Sequence, residues 1–265
     1  MLGALDAAKR AGWETDYVCR EEDAPQAGAR ADAVMLPWPH SFRDGKLTGT
    51  ELSRERALEL LPECGVALHG GGVTAQELPG ARLTFDPSRD EELLRVNAQL
   101  TAEGAIARAM QRPGCALQGS TCVVTGFGRI GQALTARLTA LGAFVIVCAR
   151  NEAQMRSAHG LGAHPLPLER LSQACAQADV IFNTVPARIL QEAALARIGE
   201  ETLLIELASP PYGADPEAAK RLNVRIVLAG GLPGKYAPMD AGAALFEALQ
   251  RKVNEQCGEG GRGDG

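Results

Sequence analysis

The sequence of 265 residues lacks the features that mark several classes of protein. No block of Lys or Arg stands out, and acidic and basic residues are interspersed at a net charge of -5, so nothing indicates a nucleic-acid or membrane partner. The longest apolar runs have the length of β-strands, far below the ~18 residues of a membrane-spanning helix. The N-terminus lacks a cationic segment followed by a long apolar core and a cleavage site, so no signal peptide is predicted.

Paired cysteines and clustered histidines are also missing. The seven cysteines form no CxxC pair, and several lie in apolar, strand-like runs. We therefore predict buried free thiols in a reducing cytoplasm rather than disulfides. The four histidines, His40, His69, His159 and His164, lack metal-ligand spacing, and no metal is expected.

The second half of the sequence alternates between short apolar runs and helical patterns. The runs show no polar alternation, which is typical of parallel strands covered on both faces. This order predicts a doubly wound α/β domain. The candidate strands are Thr121–Thr125, Phe144–Cys148, Val180–Asn183, Leu203–Glu206 and Arg225–Leu228, and helical patterns lie near 129–141, 168–177, 187–198 and 214–222.

The strongest local signal is Gly126-Phe127-Gly128-Arg129-Ile130-Gly131, which follows an apolar strand and precedes a helical segment. A second apolar strand arrives where a βαβ unit requires one, so the context fits a dinucleotide-binding turn. Gly126 allows the tight turn, Gly128 lets the backbone approach a pyrophosphate, and Gly131 permits close packing of helix on strand. The helix N-terminus then offers N–H groups and a partial positive charge to the phosphates.

The end of the second strand indicates which dinucleotide binds. Sites specific for NAD place Asp or Glu there for the ribose 2′-hydroxyl, whereas this strand ends Cys148-Ala149-Arg150-Asn151 without a carboxylate. A guanidinium suits a 2′-phosphate by its charge and by its planar fork of donors. We therefore predict NADP(H) contacts at Arg150 and Asn151, with NAD(H) as the open alternative. FAD and S-adenosylmethionine fit the missing carboxylate poorly.

Loops after later strands extend this predicted site, because the carboxyl ends of parallel strands line the ligand crevice of such a sheet. Asn183, Thr184 and Pro186 follow the third strand and are predicted to lie by the nicotinamide ribose. The same argument applies to the loops Ala208-Ser209-Pro210 and Gly230–Gly234, which follow the next two strands.

The first half of the sequence has a weaker α/β pattern. A helix near 2–11 precedes candidate strands at Glu14–Cys19, Ala33–Leu36 and Val66–Leu68, and a long helical pattern runs from Glu91 to about Met110. We therefore predict two doubly wound α/β domains, the second being a Rossmann dinucleotide-binding domain. The predicted divisions are an N-terminal domain at 1–95, a connector helix at 96–113, the Rossmann domain at 114–240, a C-terminal helix at 241–257 and a disordered tail at 258–265.

Taken together, these residues resemble the A subunits of the bacterial dipicolinate synthases over nearly the whole chain. The segments 97–106 (NAQLTAEGAI) and 228–238 (LAGGLPGKYAP), on either side of 124–131 (VTGFGRIG), are far more specific than a dinucleotide-binding fingerprint. Further matching segments are 36–39 (LPWP), 44–45 (DG), 141–150 (LGAFVIVCAR), 183–187 (NTVPA) and 206–215 (ELASPPYGAD).

The resemblance implies a role in making dipicolinate, the calcium-chelating solute of bacterial endospores, in the mother-cell cytoplasm of a sporulating bacterium. The implied partner is a flavoprotein-like B subunit, and the implied substrate is a dihydrodipicolinate-level product of the lysine pathway. The resemblance leaves a homo-oligomer open. Family members usually begin with a short strand and a Gly-Gly-Asp turn. This chain starts at Met1 almost inside the following helix, so we expect its N-terminal domain to lack the first strand.

The implied reaction removes two hydrogens from a reduced pyridine dicarboxylate, with a hydride passing to NADP⁺ and a proton to a base or to water. The two substrate carboxylates require backbone N–H groups, Lys or Arg. Glu103 is the candidate proton acceptor. The full set of candidates is Glu103, Lys235 and Ser209 for catalysis, and Thr101, Gly231 and Gly234 for substrate binding.

Two other interpretations stay open. A 2-hydroxyacid or amino-acid dehydrogenase shares this layout, but it needs a cleft cation and a His or Lys acid/base, and no His with a carboxylate partner lies near the C-terminal end. The other is a non-catalytic protein that binds NADPH and supports the flavoprotein partner. The small number of catalytic candidates and the missing first strand keep this second alternative open.

Overall fold

The structure is a computed structural model that describes residues 1–23, 29–111 and 116–260. It divides into two compact units, unit 1 (Met1–Asn97 with Pro238–Gly265) and unit 2 (Ala98–Ala237). The last residues of the predicted connector, 112–113, and most of the predicted tail, 261–265, lie outside the described residues. Among the described residues, every helix falls short of the length or the apolarity that a membrane span requires.

The secondary structure alternates between strands and helices along most of the chain. The strands are β1 (Arg30–Met35), β2 (Phe42–Arg43), β3 (Lys46–Leu47), β4 (Glu63–Leu68), β5 (Ala81–Phe85), β6 (Thr121–Thr125), β7 (Phe144–Ala149), β8 (His164–Pro167), β9 (Val180–Asn183), β10 (Leu203–Glu206) and β11 (Ile226–Leu228). The helices are α1 (Leu2–Arg10), α2 (Arg54–Glu59), α3 (Glu91–Met110), α4 (Arg129–Ala140), α5 (Glu152–Gly160), α6 (Leu171–Cys175), α7 (Glu192–Leu195), α8 (Pro216–Arg221), α9 (Leu232–Tyr236) and α10 (Pro238–Gly260).

Unit 1 is built on a parallel sheet in the order β1-β4-β5, beside a small antiparallel pair of β2 and β3. On one face of β4, Val66 and Leu68 pack against α10 and the start of α3. On the other face, Ala67 packs in a cluster with Ala57 of α2. Helices therefore cover both faces of this sheet, which is the doubly wound arrangement.

The segment Glu14–Cys19, which the sequence predicts as a strand, is not one, and this prediction is wrong. A strand needs a neighbour for its backbone N–H and C=O groups. Among the described strands, β1 pairs only with β4, so none of them pairs with residues 13–18. A cavity of about 1240 Å³ lies beside β1, lined also by α1 and by residues 13–18. The buried Thr15 hydroxyl has no hydrogen-bond partner among the described residues.

Unit 2 is built on a six-stranded parallel sheet in the order β11-β10-β9-β6-β7-β8. From β6 the chain passes to β7 and β8 on one side, then crosses to β9, β10 and β11 on the other. The strand order therefore reverses between β6 and β9. In doubly wound sheets this switch point is where ligands bind, outside the carboxyl ends of the strands.

The core of unit 2 lies on both faces of this sheet. Cys122 and Val124 of β6 pack in one cluster with Leu134 of α4, whereas Val123 packs on the opposite face with Leu195 of α7. Strands covered on both faces have continuous apolar sequences. The predicted fold class, two doubly wound α/β domains of which the second is a Rossmann domain, is confirmed.

The sequence patterns do not predict β8 and α9. β8 reads His-Pro-Leu-Pro and lies at the edge of the sheet, where missing N–H groups of prolines are tolerated. α9 begins after Gly231 and contains Pro233 in its first turn, so its sequence is also typical of a loop. α10 begins before the predicted 241 and extends to Gly260, so residues 258–260 belong to a helix.

Most of the described cysteines are buried, as predicted. Cys64, Cys122, Cys148 and Cys175 are buried, whereas Cys19 is partly exposed. Burial raises the pKa of Cys148 and of Cys175 to about 12, so both thiols stay protonated at neutral pH. Cys115 and the side chain of Cys257 lie outside the described part of the chain.

Close packing of α1 on α10 depends on two glycines. A methyl group at Gly3 would overlap the carbonyl oxygen of Pro238, and one at Gly242 would overlap the backbone nitrogen of Ala4. Backbone atoms on both sides of this contact cannot move without shifting a whole helix. The two helices therefore approach each other at a distance that only glycine permits.

We expect Gly242→Ala to lower the free energy of unfolding by about 1–3 kcal/mol, because overpacking outweighs the better helix propensity of Ala. Gly160→Ala is the matched control, since a methyl group at this position of α5 would meet no described atom within 4 Å. Since Gly160 is the last residue of α5, the control should stabilise by less than the ~0.5–1 kcal/mol of a mid-helix position and should not destabilise. Thermal unfolding followed by circular dichroism measures both. Equal stabilisation by the two substitutions would contradict the close contact.

Candidate functional site

The turn 126–131 joins β6 to α4 at the switch point of the unit 2 sheet. Gly126 has a φ of 81°, a backbone conformation that favours glycine, and its N–H donates to the carbonyl oxygen of Cys148 at 2.8 Å. A methyl group at Gly131 would overlap the carbonyl oxygen of Gly126. The turn and the first residues of α4 therefore pack at the closest distance that the backbone allows.

Gly128 differs from these two glycines because no described residue packs against the position of its missing side chain. It is the N-cap residue of α4, it is exposed, and a Cβ there would meet no described atom within 4 Å. Within the described part of the chain, no side chain caps α4. A helix N-terminus carries a partial positive charge and N–H groups without helical partners. The exposed backbone at Gly128 therefore fits a phosphate group.

The remaining residues of the turn have different environments. Phe127 is buried in the core cluster of unit 2, so only its backbone faces the turn. Ile130 packs against the same cluster, whereas the side chain of Arg129 is exposed. The side-chain amide of Gln132 donates to the carbonyl oxygen of Phe127 at 3.2 Å. These contacts fix the turn against the core of unit 2.

Arg150 follows β7 directly and is exposed at the carboxyl edge of the sheet. Asn151 is the N-cap residue of α5, and its Oδ1 accepts the N–H of Gln154 at 2.9 Å. The next carboxylate, Glu152, forms an exposed ion pair with Arg156 at 3.2 Å. The end of β7 therefore presents a guanidinium, while Asn151 has an internal structural role as a helix cap.

The loop after β9 lies directly against the turn. A Cβ at Gly126 would be 2.7 Å from a methyl carbon of Val185 and 2.9 Å from Oγ1 of Thr184. The Thr184 hydroxyl donates to the carbonyl oxygen of Thr125 at 2.7 Å, and Pro186 is exposed. The structure therefore brings the predicted residues Gly126 and Thr184 together at the switch point.

Asn183 is the last residue of β9, directly before this loop, and is fully buried. Its Oδ1 accepts the hydroxyl of Thr125 at 2.5 Å, and its Nδ2 donates to the carboxylate of Glu206 at 2.5 Å. Sequence reasoning named Asn183 and missed Glu206. The signal that was available is a single carboxylate at the end of the apolar run Leu203–Glu206.

The loops after β10 and β11 carry the other predicted contacts. Ser209 is exposed on the first of them. Lys235 lies in α9, is exposed, and donates from Nζ to the carbonyl oxygen of Gly230 at 2.9 Å. Gly231 has a φ of 67° and precedes α9, whereas Gly234 lies inside this short helix. The N–H of Gly234 therefore belongs to a helix rather than to the loop that the sequence predicts.

The two candidates on α3 have different environments. Thr101 is buried, and Glu103 is exposed. The carboxylate of Glu103 forms an ion pair with Arg137 of α4 at 2.9 Å. The role of Glu103 as a proton acceptor stays a prediction, and its observed contact is this surface ion pair. Among the described residues, no group of three or more His, Cys, Asp or Glu side chains is placed to hold a metal ion.

Comparisons with known proteins identify both the cofactor domain and the relatives. Residues 91–211 match the NAD-binding domain of the D-isomer-specific 2-hydroxyacid dehydrogenases. The chain is 33% identical to the A subunit of dipicolinate synthase from Bacillus subtilis (strain 168) over 172 residues, which is 65% of this chain and 58% of the relative. This chain therefore matches less than two thirds of the length of that curated relative.

Solved structures give the same result for the fold. The crystal structure of the dipicolinate synthase A subunit from Bacillus halodurans aligns with a TM-score of 0.74 at 29% identity, covering 84% of this chain and 79% of that one. D-lactate dehydrogenase of Escherichia coli aligns with a TM-score of 0.59 at 19% identity, covering 97% and 93%, and shares the fold alone. The resemblance to the dipicolinate synthase A subunits is confirmed, and residues 91–211 are similar to the NAD-binding domain of a dehydrogenase family.

The contrast between Gly128 and Gly131 yields a testable prediction. Gly131→Ala should destabilise the fold by about 1–3 kcal/mol, because the new methyl group overlaps the turn. Gly128→Ala should leave the unfolding temperature unchanged and weaken dinucleotide binding by about tenfold or more, because its methyl group occupies the approach of the phosphates. Thermal unfolding and fluorescence titration with NADPH and NADH measure the two effects. Unchanged affinity in Gly128→Ala would argue against phosphate binding at this turn.

Proposed function

We propose that this chain, which is similar in sequence and fold to the A subunit of dipicolinate synthase, is an NADP(H)-dependent oxidoreductase that oxidises a dihydrodipicolinate-level intermediate to dipicolinate. Its expected place is the mother-cell cytoplasm of a sporulating bacterium, and its expected partner is a flavoprotein-like B subunit. The observation that carries the proposal is the open phosphate-binding turn at 126–131, with Arg150 at the end of the neighbouring strand. Similarity to the curated relative supports the choice of substrate.

Two features support NADP(H) over NAD(H). Arg150 is an exposed guanidinium at the strand end where NAD-specific sites carry a carboxylate. A guanidinium binds a phosphate through paired, charge-assisted hydrogen bonds. The next carboxylate along the chain, Glu152, pairs with Arg156, so its charge is partly neutralised. We therefore assign recognition of the 2′-phosphate to Arg150.

Bound NADP⁺ would supply the hydride acceptor, and the protein must bind the substrate and receive one proton. Lys235 carries the positive charge nearest in sequence to Gly231 and Gly234, and we propose this group for one substrate carboxylate. Ser209 and Thr101 are the proposed hydroxyl contacts. Glu103 is the proposed proton acceptor, and its carboxylate forms an ion pair with Arg137.

A 2-hydroxyacid dehydrogenase is the alternative enzyme, because residues 91–211 match the cofactor domain of that class. Such enzymes need an acid/base group, commonly His, close to the substrate carbon. In this sequence no His follows His164, so the loops after β9, β10 and β11 supply none. The other alternative is a non-catalytic protein that binds NADPH and supports the flavoprotein partner.

We expect wild-type protein to bind NADPH about tenfold or more tightly than NADH, and Arg150→Ala to remove this preference. Fluorescence titration with both nucleotides measures it. Arg197→Ala is the matched control, because it removes an exposed arginine of unit 2 that lies between α7 and β10, outside the turn 126–131 and the segment after β7. Tighter binding of NADH, or an unchanged preference in Arg150→Ala, would contradict the assignment of Arg150.

We also expect purified chain to form NADPH from NADP⁺ and a dihydrodipicolinate-level substrate when the B subunit is present. Absorbance of NADPH, measured with and without the B subunit, follows the reaction. Catalysis by this chain requires turnover in at least one of these conditions. Tight NADPH binding without turnover in either condition would favour the non-catalytic alternative.

A further inference from the structure

Glu206 is a buried carboxylate that the proposed reaction does not use. It ends β10, and only 1% of its surface is exposed. Its hydrogen-bond partners are four N–H groups: Nδ2 of Asn183 at 2.5 Å, and the backbone N–H groups of Gly213 at 2.9 Å, Ala208 at 3.2 Å and Ala214 at 3.4 Å. Burial of a carboxylate is unfavourable unless hydrogen bonds compensate for the lost water. The four N–H groups therefore compensate for the burial of the Glu206 carboxylate.

The hydrogen bonds to Glu206 close the loop 207–214. Ala208 lies at the start of this loop, and Gly213 and Ala214 lie at its end, so one carboxylate joins both ends. The exposed residue Ser209 lies between them. Without an acceptor at this position, the buried N–H groups of Gly213 and Ala214 and the partly buried N–H of Ala208 would lose their partner.

Asn183 connects this loop to the loop after β9. Its Nδ2 donates to Glu206 and also to the carbonyl oxygen of Val185 at 3.1 Å, and its Oδ1 accepts the N–H of Val185 at 3.3 Å. A methyl group at Gly213 would overlap the Asn183 side chain. The N–H of Leu190 donates to the carbonyl oxygen of Gly213 at 2.9 Å. The two loops are therefore joined to each other and to one buried carboxylate.

The hydrogen bonds of Glu206 and Asn183 form a network, and its position relative to the switch point indicates which half of a dinucleotide it supports. Arg150 lies at the end of β7, on one side of β6, whereas β9 and β10 lie on the other side. A dinucleotide in a doubly wound domain crosses the switch point, with its pyrophosphate at the glycine turn. If Arg150 holds the adenosine half, the loops after β9 and β10 border the nicotinamide half.

We propose that Glu206 is the positioning residue that fixes both loops bordering the nicotinamide half of the dinucleotide, without touching the dinucleotide itself. This inference rests on the proposed binding of NADP(H). Since the adenosine half binds on the other side of the switch point, Glu206 should affect the whole dinucleotide and leave binding of its adenosine fragment unchanged.

The test compares NADPH with 2′,5′-ADP, which contains only the adenosine half. Gln at position 206 keeps one acceptor oxygen and places an NH₂ donor where the second oxygen accepts N–H groups. In Glu206→Gln we expect NADPH to bind about tenfold or more weakly and 2′,5′-ADP to bind within about twofold of wild type. Glu200→Gln makes the same chemical change at an exposed position before β10 and should alter neither affinity. Arg150→Ala should weaken both ligands.

A second variant covers the case in which Glu206→Gln fails to fold. Thr125→Val removes the hydroxyl that donates to Asn183 at the other end of the network and keeps the shape of the side chain. It should produce the same selective loss of NADPH affinity, with a smaller magnitude. Circular dichroism of each variant confirms folding before titration.

The outcomes separate this inference from the proposed function. If wild-type protein binds neither NADPH nor NADH, the proposed function fails and this inference fails with it. If wild type binds NADPH and the folded variants bind it equally well, only the role of Glu206 is overturned. An equal loss of NADPH and 2′,5′-ADP would also overturn it, because that result indicates general damage to unit 2.

Discussion

The contact between Gly126 and Gly131 determines where helix α4 begins relative to strand β6. Since no side chain fits between these residues, the helix N-terminus lies directly over the carboxyl end of the central strand. The positive end of the helix and the exposed backbone at Gly128 then coincide with the point where the strand order reverses. The turn 126–131 therefore combines the geometry and the charge that fit the pyrophosphate of a dinucleotide.

Elements that depend mainly on residues close together in the sequence were predictable. The turn 126–131 and its flanking strands and helix are determined by glycine conformations and by continuous apolar runs, and the structure has them at the predicted positions. Helix α3 was predicted from Glu91 to about Met110 and has these bounds, because its helical pattern is uninterrupted over that range. Here the sequence pattern and the tertiary structure favour the same conformation.

Features that depend on distant neighbours were not predictable in the same way. Residues 14–19 have the composition of a strand, yet strand formation requires a partner beside β1, and no pattern within the segment reports on that. Asn183 was correctly located at the end of β9, but its side chain points to Thr125 and Glu206 inside the protein. Thr125, Asn183 and Glu206 meet because they are aligned at the ends of the neighbouring strands β6, β9 and β10. The sequence alone does not show this alignment.

Among the described strands, β1 has a neighbour on one side only, and this has a consequence for the behaviour of the protein in solution. Backbone groups on a strand edge without a neighbour form a template for another strand, and the adjacent cavity of about 1240 Å³ adds apolar surface. In unit 2 the edge strand β8 carries two prolines, which limit such pairing. Pairing between two molecules through a strand edge is therefore expected at β1 of unit 1 rather than at β8 of unit 2.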